Sequence, residues 1–193
     1  TGERVLRSTT MLLAAGVPAF NGYDIYPIII DYDADNKDKN RARDILKHYQ
    51  KINRIAYANH PLSSMPQGDK NIGQFFGCAM KEMNGLNDFV LDFNPGNANL
   101  KFRDKIGFDQ MDGNLLTTRS LIESLYDTSD DPTTELNLDL TVGFKGNPNI
   151  GSVIFHKLGD YNEYDAFKST YNVDQGDKVV IIGSLFGGTG ASG

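Results

Sequence analysis

The chain has 193 residues, 39% of them hydrophobic and 23% charged, which is enough for one substantial core and too short to favour two domains. A net charge of -6 and a pI near 5.0 give no field for a polyanion such as DNA, although a local cluster can still hold one phosphate group. Cys78 stands alone, which excludes an internal disulfide and points to a reducing, cytoplasmic compartment, and no run approaches the roughly 20 apolar residues that span a bilayer.

In chain order, Thr1-Gly2-Glu3 opens directly onto a helical pattern, as though a strand and part of a glycine loop preceded it. Val5, Leu6, Thr9, Leu12 and Leu13 recur on one face, and Gly16 followed by Pro18 supplies a stop. Arg4 and Arg7 before Met11 to Val17 imitate a signal peptide, but the apolar stretch is short and Glu3 interrupts its basic region. Ile28-Ile29-Ile30 reads as a strand covered on both faces that ends in "DYDAD". A charged helix follows, with Ile45, Leu46, Tyr49 and Ile52 on its inner stripe. Between about Ala58 and Asp112 the pattern allows a helix over Ile72 to Met83 and a strand over Phe89 to Phe93.

"GNLLTTRSLIESLYD" recovers a helical period through Leu115, Ile122, Leu125 and Tyr126, and Thr128 to Thr134 is a polar turn. From Glu135 the period changes to two, with Leu136, Leu138, Leu140 and Val142 alternating with polar residues as a half-buried strand does. Asn147 and Pro148 then open a helix with Ile150, Val153, Ile154 and Leu158 inward and Gly159 as the stop. One more helix is expected in "DYNEYDAFKSTYN", and "DKVVIIG" reads as the last strand, running into "SLFGGTGASG". Glycine loops and acids thus alternate with strands and helices, which argues for an α/β fold with a mostly parallel sheet and helices on both faces. In such folds ligands sit at the carboxyl ends of the strands, so these loops are expected to converge on one ligand.

Taken one by one, the motifs leave alternatives open. "GTGASG" fits the dinucleotide fingerprint by letter, yet four residues intervene after Gly183 where that fingerprint follows its strand at once; a flexible tail is the plain alternative. "DYDADNKDKNRA" imitates an EF-hand loop but has Asn36 at the turn glycine and Ala42 at the bidentate Glu. Acids at a strand end beside a phosphate suit Mg²⁺ better, against a solvated turn that caps the next helix. His48, His60 and His156 lack metal spacing, and neither a G-x-S-x-G elbow nor a P-loop is present.

Together the loops carry a resemblance. "VVIIGSLFGGTGASG" resembles the strand and phosphate loop of tubulin and the bacterial division protein FtsZ. "GFKGNPNIG" resembles the FtsZ loop in which Asn-Pro opens a helix facing the terminal phosphate, "IIIDYDAD" a tubulin strand ending near the metal, and "TGERVLRS" the second half of the family's first glycine loop. The resemblance implies a Rossmann-like nucleotide-binding domain of a bacterial tubulin-like protein, 1–193 being one partial domain with a family-specific insertion at about 36–134. It further implies that Gly187, Gly188, Thr189 and Gly190 wrap the α- and β-phosphates beside Gly2. Gly143, Gly146 and Asn147 would approach the γ-phosphate, and Asp33, with Asp31 behind it, would orient Mg²⁺ or its waters. Phe186 and the Ala191-Ser192 pair depart from the family pattern.

The function so implied is binding of GTP or GDP with Mg²⁺, coupled to head-to-tail self-association into filaments in a longer protein. The catalytic acid and the base-reading residues are expected after Gly193. Two other functions fit less of the pattern: an NAD(P)-dependent oxidoreductase with a Rossmann-like loop, and a non-catalytic interaction module of the same fold. Under any phosphate-binding reading, a side chain at Gly188 or Gly190 is expected to obstruct the ligand and leave the core intact.

Overall fold

In the computed structural model, which describes residues 2–20, 23–57, 75–91, 100–129, 131 and 133–192, the amino-terminal pattern forms α1 (Gly2–Ala14). Glu3 and Arg7 pair one turn apart at 2.6 Å, and Gly16 ends the helix at φ +71°, its amide donating to Leu13 O at 3.1 Å. The inner face is set by Leu6, Thr10 and Leu13, whereas Leu12, expected inward, is half exposed. In α2 (Lys37–Tyr57), Asn36 caps the first turn by accepting from the Asp38 and Lys39 amides at 2.8 and 3.4 Å. Leu46 and Tyr49 are buried as expected, together with Ala42, and Ile52 is exposed.

The chain forms two compact units: residues 1–30, 36–91 and 162–182 make the first, and residues 31–35, 92–161 and 183–193 the second. In the first, β1 (Asp24–Ile25) pairs in parallel with β3 (Ala79–Met80), and β2 (Ile29–Ile30) pairs in parallel with β4 (Val90–Leu91). The mixed α/β class with parallel pairing is therefore present. Among the described residues, however, these are two separate two-stranded sheets instead of one. Leu13, Leu46, Tyr49, Cys78, Met80 and Phe89 form this unit's core. Cys78 is buried: its thiol donates to Tyr23 O at 3.0 Å, and burial first, then Asp24, push its pKa up to about 11.

The helix expected over Ile72 to Met83 does not form. Residues 72–74 lie outside the described set, and from Phe75 the chain turns and enters β3. The reason lies in α2. Tyr49 Oη donates to Cys78 O at 2.8 Å, Gln50 Nε2 to Met80 O at 3.0 Å, and Asn53 Nδ2 to Phe76 O, so these carbonyls serve α2 side chains and not a helical ladder. The expected strand over Phe89 to Phe93 is reduced to Val90–Leu91, with residues 92–93 outside the described set.

Asp88, at φ +54°, ties the turn before β4 to α2 by accepting from Lys47 Nζ at 2.7 Å and from Arg43. The Lys47 ammonium and then the Arg43 guanidinium hold its carboxyl below the usual range. A depressed carboxylate stabilises the fold above its unfolded pKa and loses that contribution as pH falls through the folded value. Asp88→Asn, which keeps the left-handed backbone tolerable, should therefore cost about 1 kcal/mol at pH 7. The gap between the two melting curves should begin to close as pH falls below about 4 and vanish below the folded-state value. An equal gap at both pH values would show that charge is not the cause.

The second unit holds α3 (Phe102–Ile106), α4 (Leu116–Leu125) and α5 (Pro148–Phe155), and Phe102, Phe108, Leu136, Leu138, Leu140 and Phe144 are buried in it. Leu136, Leu138 and Leu140 are buried in alternation as a strand requires, yet no strand forms there. The Leu136 and Leu138 carbonyls accept the amides of Arg103 and Phe102 at the start of α3, at 2.9 and 3.0 Å, and the Leu140 amide donates to Leu100 O at 3.0 Å. The orphan donors of a helix start have taken the place of a neighbouring strand. Asn137, expected on the wet face, is buried and donates to Ser129 O at 2.9 Å, while Val142 is exposed. On α4 no residue is buried, and the expected inner residues Leu115 and Leu125 are exposed; Arg119 instead lies over the Phe108 ring at 4.8 Å. Along α5, Ile150 and Ile154 face inward but Val153 does not, and the helix ends at Phe155, before Gly159.

The last helix, α6 (Asn162–Thr170), belongs to the first unit and forms as expected, with Phe167 stacked between Tyr164 and Tyr171. The expected final strand does not: among the described residues Val179 to Ile182 have no strand partner, and they stand exposed, Ile181 at 90%.

Candidate functional site

Three loops that are far apart in sequence meet within the second unit. The first is the acidic loop after β2. Asp31 Oδ1 accepts the Asp33 amide at 3.2 Å, Asp33 Oδ1 accepts the Asp35 amide at 3.0 Å, and the Ala34 amide donates to Thr141 O at 2.9 Å. That last bond ties it to the second loop, residues 139–147. There Asp139 takes the Thr141 hydroxyl at 2.6 Å and the Thr141 amide at 2.9 Å, capping a 3-10 turn over Leu140–Val142. These two donors, then Lys145, hold the Asp139 carboxyl below its ordinary range. Gly143 follows at φ +74°; a Cβ there would lie 3.3 Å from Asp33 Cβ, so its lack of a side chain lets the acidic loop approach.

The third loop is the glycine run. Thr189 Oγ1 donates to Asp31 Oδ1 at 3.3 Å across 158 residues of chain, a direct link between glycine loop and acids. A Cβ on Gly188 would stand 2.6 Å from Phe144 Cβ and 3.3 Å from the Gly146 amide nitrogen, and one on Gly190 would stand 2.7 Å from Ser184 O. Both glycines are therefore seats for the chain's own backbone. The expectation that a side chain at either would leave the packing intact is corrected, because the first atoms met are protein atoms. Gly146 at φ +82° and Gly187 at φ +114° differ, since an added Cβ on either meets nothing within 4 Å. They border open space.

The structure thus brings together Asp31, Asp33, Gly143, Gly146, Asn147, Gly188, Thr189 and Gly190 in one unit, with Gly187 at the loop's exposed edge. Gly2 lies in the first unit, at the start of α1. Asn147 precedes α5 without a side-chain cap bond, its amide donating to Phe144 O at 2.8 Å. The loops do not, however, cluster at the ends of one sheet: Asp31 alone directly follows a strand. Among the described residues, no group of three or more His, Cys, Asp or Glu side chains can hold a metal ion by itself. His48 and His156 are exposed, as surface histidines, and His60 lies outside the described set.

Sequence reasoning missed Phe144, Gly151, Ser152, Ser184 and Ser192, all of which shape the glycine loop. One signal was available: Gly151 interrupts an apolar helical pattern, where glycine is costly unless something must come close. Comparison of the chain with protein-family models, with curated proteins and with solved structures gave no match. Among the described residues no helix is long and apolar enough to cross a membrane.

Proposed function

We propose that the chain is the nucleotide-binding part of a tubulin-like GTPase, holding GTP or GDP with Mg²⁺ and completing its chemistry through self-association of a longer protein. The observation that carries this reading is the bond from Thr189 Oγ1 to Asp31 Oδ1, which draws a glycine-rich loop and an acidic loop into one unit. The residues fit such a ligand in kind. Open space borders Gly146 and Gly187, a hydroxyl sits mid-loop at Thr189, and two carboxylates lie close by, one of them already accepting that hydroxyl.

Gly187 to Gly190 would take the α- and β-phosphates, Gly143, Gly146 and Asn147 the terminal phosphate, and Asp31 with Asp33 the Mg²⁺ through its waters. Bound Mg²⁺ would supply neutralisation of phosphate charge, as one or two carboxylates plus phosphate oxygens suit that ion. The chain's own residues bind and orient: positive-φ glycines let backbone come within hydrogen-bond reach, and the Thr189 hydroxyl is a further donor. In this reading the Thr189 hydroxyl, held on Asp31, serves as a phosphate donor and not as a nucleophile, and catalysis rests on positioning and charge.

Calorimetric titration of the longer parent protein with GTP, GDP and NAD, each with and without Mg²⁺, tests this. GTP should bind in a Mg²⁺-dependent manner, and Asp33→Ala should weaken triphosphate binding roughly tenfold more than diphosphate binding. Equal losses would return Asp33 to a solvated turn. NAD bound more tightly than GTP would replace the GTPase by the oxidoreductase reading, and an absence of any nucleotide binding would leave an interaction module.

A further inference from the structure

Gly151 stands inside α5, where glycine is less favourable than alanine, and the neighbouring atoms give a reason for it. A Cβ built on Gly151 would overlap the Ser192 hydroxyl, stand 2.6 Å from Ser192 Cβ and reach within 2.8 Å of Phe144 Cδ2. Ser192 is 7% exposed and bonded on both sides. Its hydroxyl donates to the Gly188 carbonyl, its own carbonyl accepts from Ser152 Oγ at 2.9 Å, and its amide donates to Thr189 O at 3.3 Å. Ser192 thereby joins the middle of the glycine loop, through its hydroxyl, to α5, through its backbone carbonyl, and only a residue without Cβ at 151 lets its side chain lie against that helix.

We propose that Gly151 and Ser192 form a latch that fixes the glycine loop, and that they are positioning residues for the phosphate this loop holds. The identity of the ligand rests on the nucleotide reading above; the latch does not. Its bonds order the backbone at 188 and 189 before a ligand arrives, so the ordering cost is not met on binding. Without it the loop samples other conformations, and apparent affinity falls by the fraction that is still competent.

The full chain carrying Gly151→Ala, Ser192→Gly, both together, or Leu138→Ala tests the latch. The last variant truncates a buried residue of the same unit that no latch bond uses. Two quantities are read at a temperature where circular dichroism shows every variant folded: amide hydrogen exchange across residues 183–192 without ligand, and GTP affinity. Each single latch variant should speed loop exchange and weaken GTP binding by roughly tenfold. The double variant should bind better than the product of the two losses, because Ser192→Gly removes atoms the new methyl would strike. Leu138→Ala should lower the melting temperature and leave both readouts at wild-type values.

Wild-type loop exchange in both single variants overturns the latch, as does a double variant whose losses simply multiply. Loop exchange accelerated equally by Leu138→Ala also overturns it, reducing the effect to general destabilisation. Wild-type protein that binds no GTP overturns the nucleotide reading alone, and the exchange result then decides the latch.

Discussion

Gly188→Val is expected to lower GTP affinity roughly a hundredfold and to destabilise the second unit by about 1–3 kcal/mol. The first figure follows from the loop: displacing it forfeits about two charge-assisted hydrogen bonds to phosphate at roughly 1.5 kcal/mol each, close to 3 kcal/mol together. The second follows from the packing, since the new Cβ would lie 2.6 Å from Phe144 Cβ, a buried backbone-proximal atom with no rotamer by which to retreat. Calorimetry and denaturant unfolding of the same preparation measure both. Lost affinity with unchanged stability would mean that Gly188 faces ligand and not Phe144, contrary to the observed packing. Unchanged affinity would remove the glycine loop from the site.

Phe144→Ala should be the more damaging to the fold and the less damaging to the loop. Phe144 is 2% exposed, its ring meeting Tyr32 at 5.3 Å and Phe155 at 5.7 Å between centroids. Removing such a ring costs about 3–5 kcal/mol through lost burial and the cavity left behind. Alanine retains Cβ, the atom on which Gly188 rests, so affinity measured while the protein is folded should fall less than in Gly188→Val. A stability loss under about 1 kcal/mol would contradict the burial of the ring. An affinity loss as large as that of Gly188→Val would assign the seat to the ring instead of Cβ.

These paired expectations also mark how far the sequence could be read. Five helices were legible from period and punctuation: Gly16 stops α1, α2 follows the acidic turn, α4 lies within Gly113 to Asp127, Pro148 opens α5, and α6 lies within the expected span. Each depends on bonds within a few residues. The strands were not legible in the same way. β3 hides in a stretch whose spacing also suits a helix, and α2 side chains take the carbonyls of Met80 within it and of Cys78 just before it. Leu136 to Leu140 alternate as a strand does, and the start of α3 takes their backbone bonds. For the candidate site, the three loops could be singled out by residue type, whereas Gly151 and Ser192 carried only the faint signal of a glycine within a helix.

The sequence by itself determined the spans of most of the longer helices, that the single thiol has no internal disulfide partner, and which loops are rich in glycine or acid. Only the tertiary structure decided which loops meet, and that Thr189 reaches Asp31 across 158 residues. It also decided what each glycine is for. A missing Cβ looks the same in sequence whether a ligand or the chain's own backbone approaches, and only packing separates Gly188 and Gly190, pressed against Phe144 and Ser184, from Gly146 and Gly187, which border open space. Local hydrogen bonds and backbone preferences are written into short stretches of sequence, while non-local pairing depends on which distant surfaces can be desolvated together.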